Sequence, residues 1–130
     1  MAGSFPLPSC SSSSFNLPPK LIDSVCWVES KHDVTAIKQD DGPSDSYGVC
    51  QIKLETARWL GFEGTTKQLM RPEVNIHYAA KYLAHNLRRY RGDVTKAVIA
   101  YNRGNARGLT RTKYSDKVLE AHRTIASQGG

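Results

Sequence analysis

Leu21-Ile22-Asp23-Ser24-Val25-Cys26-Trp27-Val28-Glu29-Ser30 is the stretch on which the reading of this chain turns. Its apolar residues Leu21, Ile22, Val25, Cys26 and Val28 fall at i, i+1, i+4, i+5 and i+7, the spacing of one buried face of an α-helix. Glu29 follows at i+8 and so continues the apolar stripe. A carboxylate at the end of a buried stripe must be paired, have a raised pKa, or both. A carboxylic acid that keeps its proton near neutral pH is what general-acid catalysis requires. The stripe alone also admits a plainer reading, a fraying helix end that leaves Glu29 in water.

Ahead of this helix, residues 1–19 hold six Ser and four of the six Pro. That composition predicts an extended or disordered lead-in and places the folded domain at 20–130. Behind it, residues 33–52 lose the helical period. They carry the turn-forming run Asp40-Asp41-Gly42-Pro43-Ser44-Asp45, so a long loop is expected, with a short strand-like piece through Tyr47–Ile52. Helical pattern returns at about 53–60 and stops at Gly61. The longest helix is expected from Pro72 to about Tyr90, burying Ile76, Ala79, Ala80, Leu83 and Leu87. A helix over 94–102 follows, with Val94, Ala97, Val98 and Tyr101 on one face and Gly104 and Gly108 beyond its end. A last helix over 114–126 turns Val118, Ala121 and Ile125 inward. Strand alternation and internal repeats are not evident, and the expected class is a mainly α domain.

A length of 130 residues suits one core, and 39% hydrophobic with 23% charged residues argues against global disorder. No apolar run approaches the roughly 20 residues of a membrane-spanning helix. The net charge of +6 is unevenly placed: residues 1–80 hold seven basic and nine acidic groups, residues 81–130 eleven basic and three acidic. The second half therefore favours a polyanion, whether nucleic acid, anionic membrane or wall polymer. Cys10, Cys26 and Cys50 are too few for a disulfide scaffold; free thiols packed as small hydrophobes are expected, with a Cys26–Cys50 bridge as the alternative. No Lys or Arg precedes Lys20 and Phe5-Pro6-Leu7-Pro8 is too short for a signal core, so no export signal is read. Leu7-Pro8-Ser9-Cys10 is discounted as a lipoprotein box for the same reason. His32, His77, His85 and His122 lack metal-ligand spacing, and no metal or cofactor is expected.

Three motifs in order resemble those of the soluble lytic transglycosylases, lysozyme-like enzymes that cleave peptidoglycan. They are Glu29-Ser30, then Tyr47-Gly48-Val49-Cys50-Gln51-Ile52, then Ala100-Tyr101-Asn102-Arg103-Gly104. Asn75-Ile76 with Tyr82-Leu83, and the stretch from Tyr114 to Leu119, resemble the helices that complete the family's domain. The resemblance spans roughly residues 20–120. It implies a goose-type lysozyme/SLT helical fold with a long active-site loop. Glu29 would be general acid and then general base. The substrate's own N-acetyl oxygen would take the place of a second carboxylate, giving 1,6-anhydro-muramic acid ends. By the same carry-over Gln51 would bind the substrate near its N-acetyl group, and Tyr101 and Asn102 would position that group or the catalytic carboxyl. Ser46 would be a polar contact from the loop, and Tyr114 would line the sugar cleft. Peptidoglycan glycan strands are the implied partner, the periplasm or cell wall the implied place of action and a monomer the implied state, with a phage-type lytic role favoured.

Two positions depart from the family pattern: Cys50 stands where Met is usual and Arg103 where a small residue is common. If Asp40, Asp41 or Asp45 approached the anomeric carbon, one could orient a water and make the enzyme a muramidase. A different class, a basic helical nucleic-acid-binding domain led by Leu87-Arg88-Arg89-Tyr90-Arg91-Gly92, leaves Glu29, Gln51 and Asn102 unexplained.

Overall fold

The opening stripe forms helix α1, Leu21–Ser30, in the computed structural model, which describes residues 15–39 and 45–129. Leu21, Ile22, Val25 and Cys26 are buried along it, as the periodicity predicts. The helix stops because Lys31 adopts a left-handed conformation, φ 55°, and its N–H donates to Trp27 O at 2.7 Å. Helix α2 is Leu54–Trp59, α3 Thr66–Leu69, α4 Pro72–Arg89, α5 Val94–Arg103 and α6 Lys113–Gly129. Several boundaries have a local cause. Pro72 opens α4 at its first turn. Asp93 caps α5 by accepting from Lys96 N at 3.1 Å, and Gly104, φ 92°, closes it. Thr112 and Ser115 cap α6 reciprocally: Thr112 N donates to Ser115 Oγ at 2.8 Å and Ser115 N to Thr112 Oγ1 at 3.0 Å. Helix α3 is not anticipated by the apolar pattern; it rests on a capping box between Thr65 and Gln68.

Helix α4 packs on α5, α1 on α6, and α5 on α6, so these four helices share one core. Leu21, Val25, Ala79, Ala80, Leu83, Ala97, Val98 and Val118 fill it. A smaller cluster of Ile52, Ala57, Phe62 and Leu69 seats α2 and α3 against α4. Leu17 is buried in the main core and Phe15 packs against it, so the packed part begins ahead of the Lys20 boundary. The remainder of the expected lead-in, residues 1–14, lies outside the described residues.

Two further expectations are corrected. The loop after α1 contains a three-stranded antiparallel sheet, β1 (Ile37–Lys38), β2 (Ser46–Tyr47) and β3 (Ile52–Lys53), in the order β1-β2-β3. Ile37 pairs with Tyr47, and Tyr47 with Ile52. The expected strand-like piece through Tyr47–Ile52 holds β2 and β3 at its ends, while β1 and the pairing go unforeseen, because strands of two residues cannot display an alternation. Cys26 and Cys50 are joined as a disulfide, not free thiols, because α1 and the end of the loop pack directly on each other. Cysteine spacing carries no trace of that proximity.

Candidate active site

Glu29 occupies the last turn of α1, and the chain beyond it is fixed from three sides. Ser30 Oγ donates to Val49 O at 2.6 Å, tying the helix end to the loop directly ahead of Cys50 and Gln51. The disulfide fixes the same two segments one helical turn earlier. Tyr101, in α5, donates its hydroxyl to Cys50 O at 2.8 Å from a buried position. The loop is held from α4 as well. Asn75, fully buried, donates from Nδ2 to Tyr47 O at 2.8 Å and Leu69 O at 2.9 Å, and accepts from Cys50 N at 2.8 Å. All but one of its polar bonds are thus spent on the backbone around residues 47–50. Gly48, φ 80°, lies directly against this amide, and a Cβ there would overlap it.

The cleft so framed is lined by Glu29 from α1, Lys38, Ser46, Gln51 and Lys53 from the loop and sheet, Glu55 and Thr56 from α2, Tyr82 from α4, and Tyr101, Asn102 and Arg103 from α5. Its volume is about 250 Å³. Tyr114, in the capped first turn of α6, donates its hydroxyl to Glu29 Oε2 at 2.6 Å. Burial pushes the Tyr114 hydroxyl well above the usual tyrosine range, and the charge of Glu29, the neighbouring Tyr101 and the hydrogen bond to Glu29 add to the shift. The Tyr101 hydroxyl is raised well above the usual range too, by burial, then by Glu29 and Tyr82. Both therefore keep their protons and act as donors throughout the neutral range.

The cleft brings together Glu29, Ser46, Gln51, Tyr101 and Asn102, five of the six residues singled out from the sequence. Ser46 is buried in its wall and Asn102 is exposed on its rim. Tyr114 acts on the carboxylate through its hydroxyl, a contact that wall-lining alone does not describe. Tyr101 is directed to the loop backbone at Cys50. Gln51, φ 54°, spends its Nε2 on Ala36 O at 3.1 Å and Gly48 O at 3.0 Å, so its amide oxygen is the group it can offer a ligand. Three contributors were missed. In the sequence Ser30 stands out only as the motif partner of Glu29, and Asn75 only as part of a helix resemblance. Glu55 puts a second carboxylate on the cleft, where the motifs suggest none; it is exposed at the start of α2. Of the loop aspartates, Asp40 and Asp41 lie outside the described residues, and Asp45 is half-buried beside Ser46. Among the described residues no group of three or more His, Cys, Asp or Glu is arranged to hold a metal ion.

The helices and small sheet that frame this cleft form a lysozyme-like fold. The model of the transglycosylase SLT domain matches residues 8–123, and the chain belongs to that family. It is 38% identical over 90 residues to the peptidoglycan transglycosylase gp16 of Escherichia phage T7, an alignment covering 67% of this chain and 6% of the phage protein. It is 28% identical over 118 residues to protein IpgF of Shigella flexneri, covering 88% of this chain and 77% of IpgF. Among solved structures, the lytic transglycosylase Slt of Pseudomonas aeruginosa, an inactive glutamate-to-glutamine mutant, superposes with a TM-score of 0.64 at 26% identity, over 87% of this chain and 19% of that one. The 70 kDa soluble lytic transglycosylase of Escherichia coli superposes with a TM-score of 0.66 at 22% identity, over 90% and 18%. The chain thus spans a small fraction of the phage protein and of both structures.

Proposed function

We propose that this protein is a peptidoglycan lytic transglycosylase that cleaves the bond between N-acetylmuramic acid and N-acetylglucosamine with Glu29 as its one catalytic carboxyl. The observation that carries the reading is the Tyr114 hydroxyl on Glu29 Oε2, inside a cleft that also gathers Ser46, Gln51, Tyr101 and Asn102. With Tyr114 donating to Oε2, Glu29 carries the acidic proton. Glu29 delivers it to the glycosidic oxygen as the C–O bond breaks. The carbonyl oxygen of the muramoyl N-acetyl group attacks the anomeric carbon and takes up its developing charge, the substrate-assisted course known among glycoside-cleaving enzymes. Asn102 on the rim and the Gln51 amide oxygen orient that N-acetyl group. Glu29, now a carboxylate supported by Tyr114, removes the proton of the sugar's 6-hydroxyl. That oxygen displaces the N-acetyl oxygen and closes the 1,6-anhydro ring. One proton leaves Glu29 and one returns, and no water is consumed.

Glu55 is the observation that favours a second reading, a muramidase using water. Retaining enzymes hold their two carboxyls about 5–5.5 Å apart and inverting ones about 6.5–9.5 Å apart. The exposure of Glu55 weighs against a nucleophile held out of water and leaves it the role of base to a water. Mass spectrometry of muropeptides released from purified sacculi separates the two. Ends carrying 1,6-anhydro-muramic acid support the transglycosylase, with Glu29→Gln inactive and Glu55→Gln active. Reducing ends carrying an added water, lost in Glu55→Gln, would replace it with the muramidase. No release by the native protein would refute both.

A further inference from the structure

Trp59 is the most exposed large apolar side chain among the described residues, at 64%. It is not isolated on the surface. It lines a groove of about 470 Å³ whose residues Glu55, Thr56, Tyr82 and Gly104 also line the catalytic cleft, so the groove adjoins the cleft. Glu55 and Trp59 are spaced i, i+4 on α2 and so lie on one helix face, the first at the cleft and the second a turn further on.

We propose that the glycan cleft continues past Glu29 along α2, and that the indole of Trp59 forms a further subsite on which a sugar ring of the strand stacks. This rests on reading the cleft as a glycan site. The surroundings of the indole suit that occupant. A pyranose presents a face of C–H groups edged by hydroxyls, and it matches a flat apolar ring set among fixed polar groups. The ring is held in place: His85 packs edge-on against it at 4.8 Å, and Lys81 Nζ donates to Leu60 O at 2.8 Å, fastening the turn after Trp59 to α4. Arg89 is held at the groove's edge by donating to Gly104 O at 3.0 Å and to Asn86 Oδ1 at 3.3 Å. His85 has its pKa lowered by burial and by Arg88 and Arg89, so near neutral pH it offers a neutral imidazole. The other tryptophan serves as a contrast. Trp27, 42% exposed, lines a separate groove between α1 and α6 that shares no residue with the cleft.

The test uses the full chain and peptide-free glycan strands prepared from sacculi. In a Trp27→Phe, Glu29→Gln protein, Trp59 is the sole tryptophan and the strands are not cut. Its emission is expected to shift and quench on titration with them. In the otherwise native protein, Trp59→Ala is expected to raise KM on long strands about 3- to 10-fold, the range of an aromatic stacking contact, with Trp59→Phe recovering most of the loss. The shortest oligosaccharide that is still cut should be less affected. Strand binding that leaves Trp59 emission unmoved, or Trp59→Ala cutting long strands like the native protein, would overturn the subsite. A Trp59 response to strands that the native protein never cleaves would instead sink the catalytic reading and leave the subsite standing.

Discussion

Replacing Tyr114 by Phe keeps the ring in its place on the core and removes one O–H···O contact of 2.6 Å to Glu29. A hydrogen bond to a charged group contributes ~1.5–3 kcal/mol. Glu29 passes from acid to carboxylate as it protonates the glycosidic oxygen, so this bond tightens as negative charge grows on Oε2. The same bond to the neutral acid contributes ~0.5–1.5 kcal/mol, so with charge about half developed in the transition state the differential loss is about 0.5–0.8 kcal/mol, or roughly 2- to 4-fold in kcat. Because the bond does not touch the ground-state sugar, KM should stay within about twofold. The assay is the initial rate of muropeptide release from purified sacculi, beside a thermal unfolding scan of the same variant. Tyr114→Phe with native kcat and native Tm would refute the supporting role. A rise in KM with kcat unchanged would return Tyr114 to a substrate-lining residue.

Other outcomes follow from features away from the carboxylate. Exchanging both Cys26 and Cys50 for Ser opens a ring with a sequence separation of 24, which in the chain-entropy account costs about 3.5 kcal/mol and lowers Tm by roughly 10–15 °C; a scan showing no decrease would exclude a structural bridge. Gly48→Ala puts a Cβ into the Asn75 amide at φ 80°, and a loss above about 3 kcal/mol is expected from urea unfolding midpoints. His77 and His85 both have pKa values below the ordinary 6.5, first because burial disfavours the charged ring and then because of nearby Lys81, or Arg88 and Arg89. The unfolded chain therefore takes up these protons first, so their contribution is intact above about pH 6.5 and is lost as pH falls through the lower folded values. Tm recorded from neutral to mildly acidic pH should decline, and a His77→Gln, His85→Gln protein should decline less. Lys38, Lys53 and Arg103 line the cleft beside a basic C-terminal half, so cleavage of anionic wall material should weaken towards roughly 1 M salt, where the Debye length is ~3 Å; a salt-independent rate would remove electrostatics from substrate capture.

Helices announced themselves in the sequence where a buried stripe met a boundary residue. Pro72 and the Ile76-to-Leu87 stripe place α4 to within a residue at its end, and Gly104 stops α5 one residue later than expected. Thr65 and Gln68 carried the capping-box signal for α3, but four residues are too few to establish a period. The strands showed only as a short strand-like piece through Tyr47–Ile52, for the same reason. The positions of Glu29 and the cleft residues were legible because the motifs keep their order. What each side chain touches was not. Tyr101 turning to Cys50 O, Gln51 Nε2 turning back to Ala36 and Gly48, and Glu55 reaching the cleft all depend on how the loop folds back on α1 and α4. These are contacts between segments far apart in sequence, and a local pattern holds no record of them.

Joining Cys26 to Cys50 also changes the chain's topology: residues 26 to 50 become a closed loop, with Glu29 and Ser46 both on it. A single peptide-bond cut between Lys31 and Val49 therefore yields no separable fragments. The upstream piece, carrying α1 and Glu29, stays tethered through sulfur to the downstream piece with Gln51, Tyr101 and Tyr114. Such a nicked protein would run as one species on a non-reducing gel and as two on a reducing one. A protease met in this stretch would score the molecule without dismantling it, and only a reductant arriving afterwards would let the two halves part.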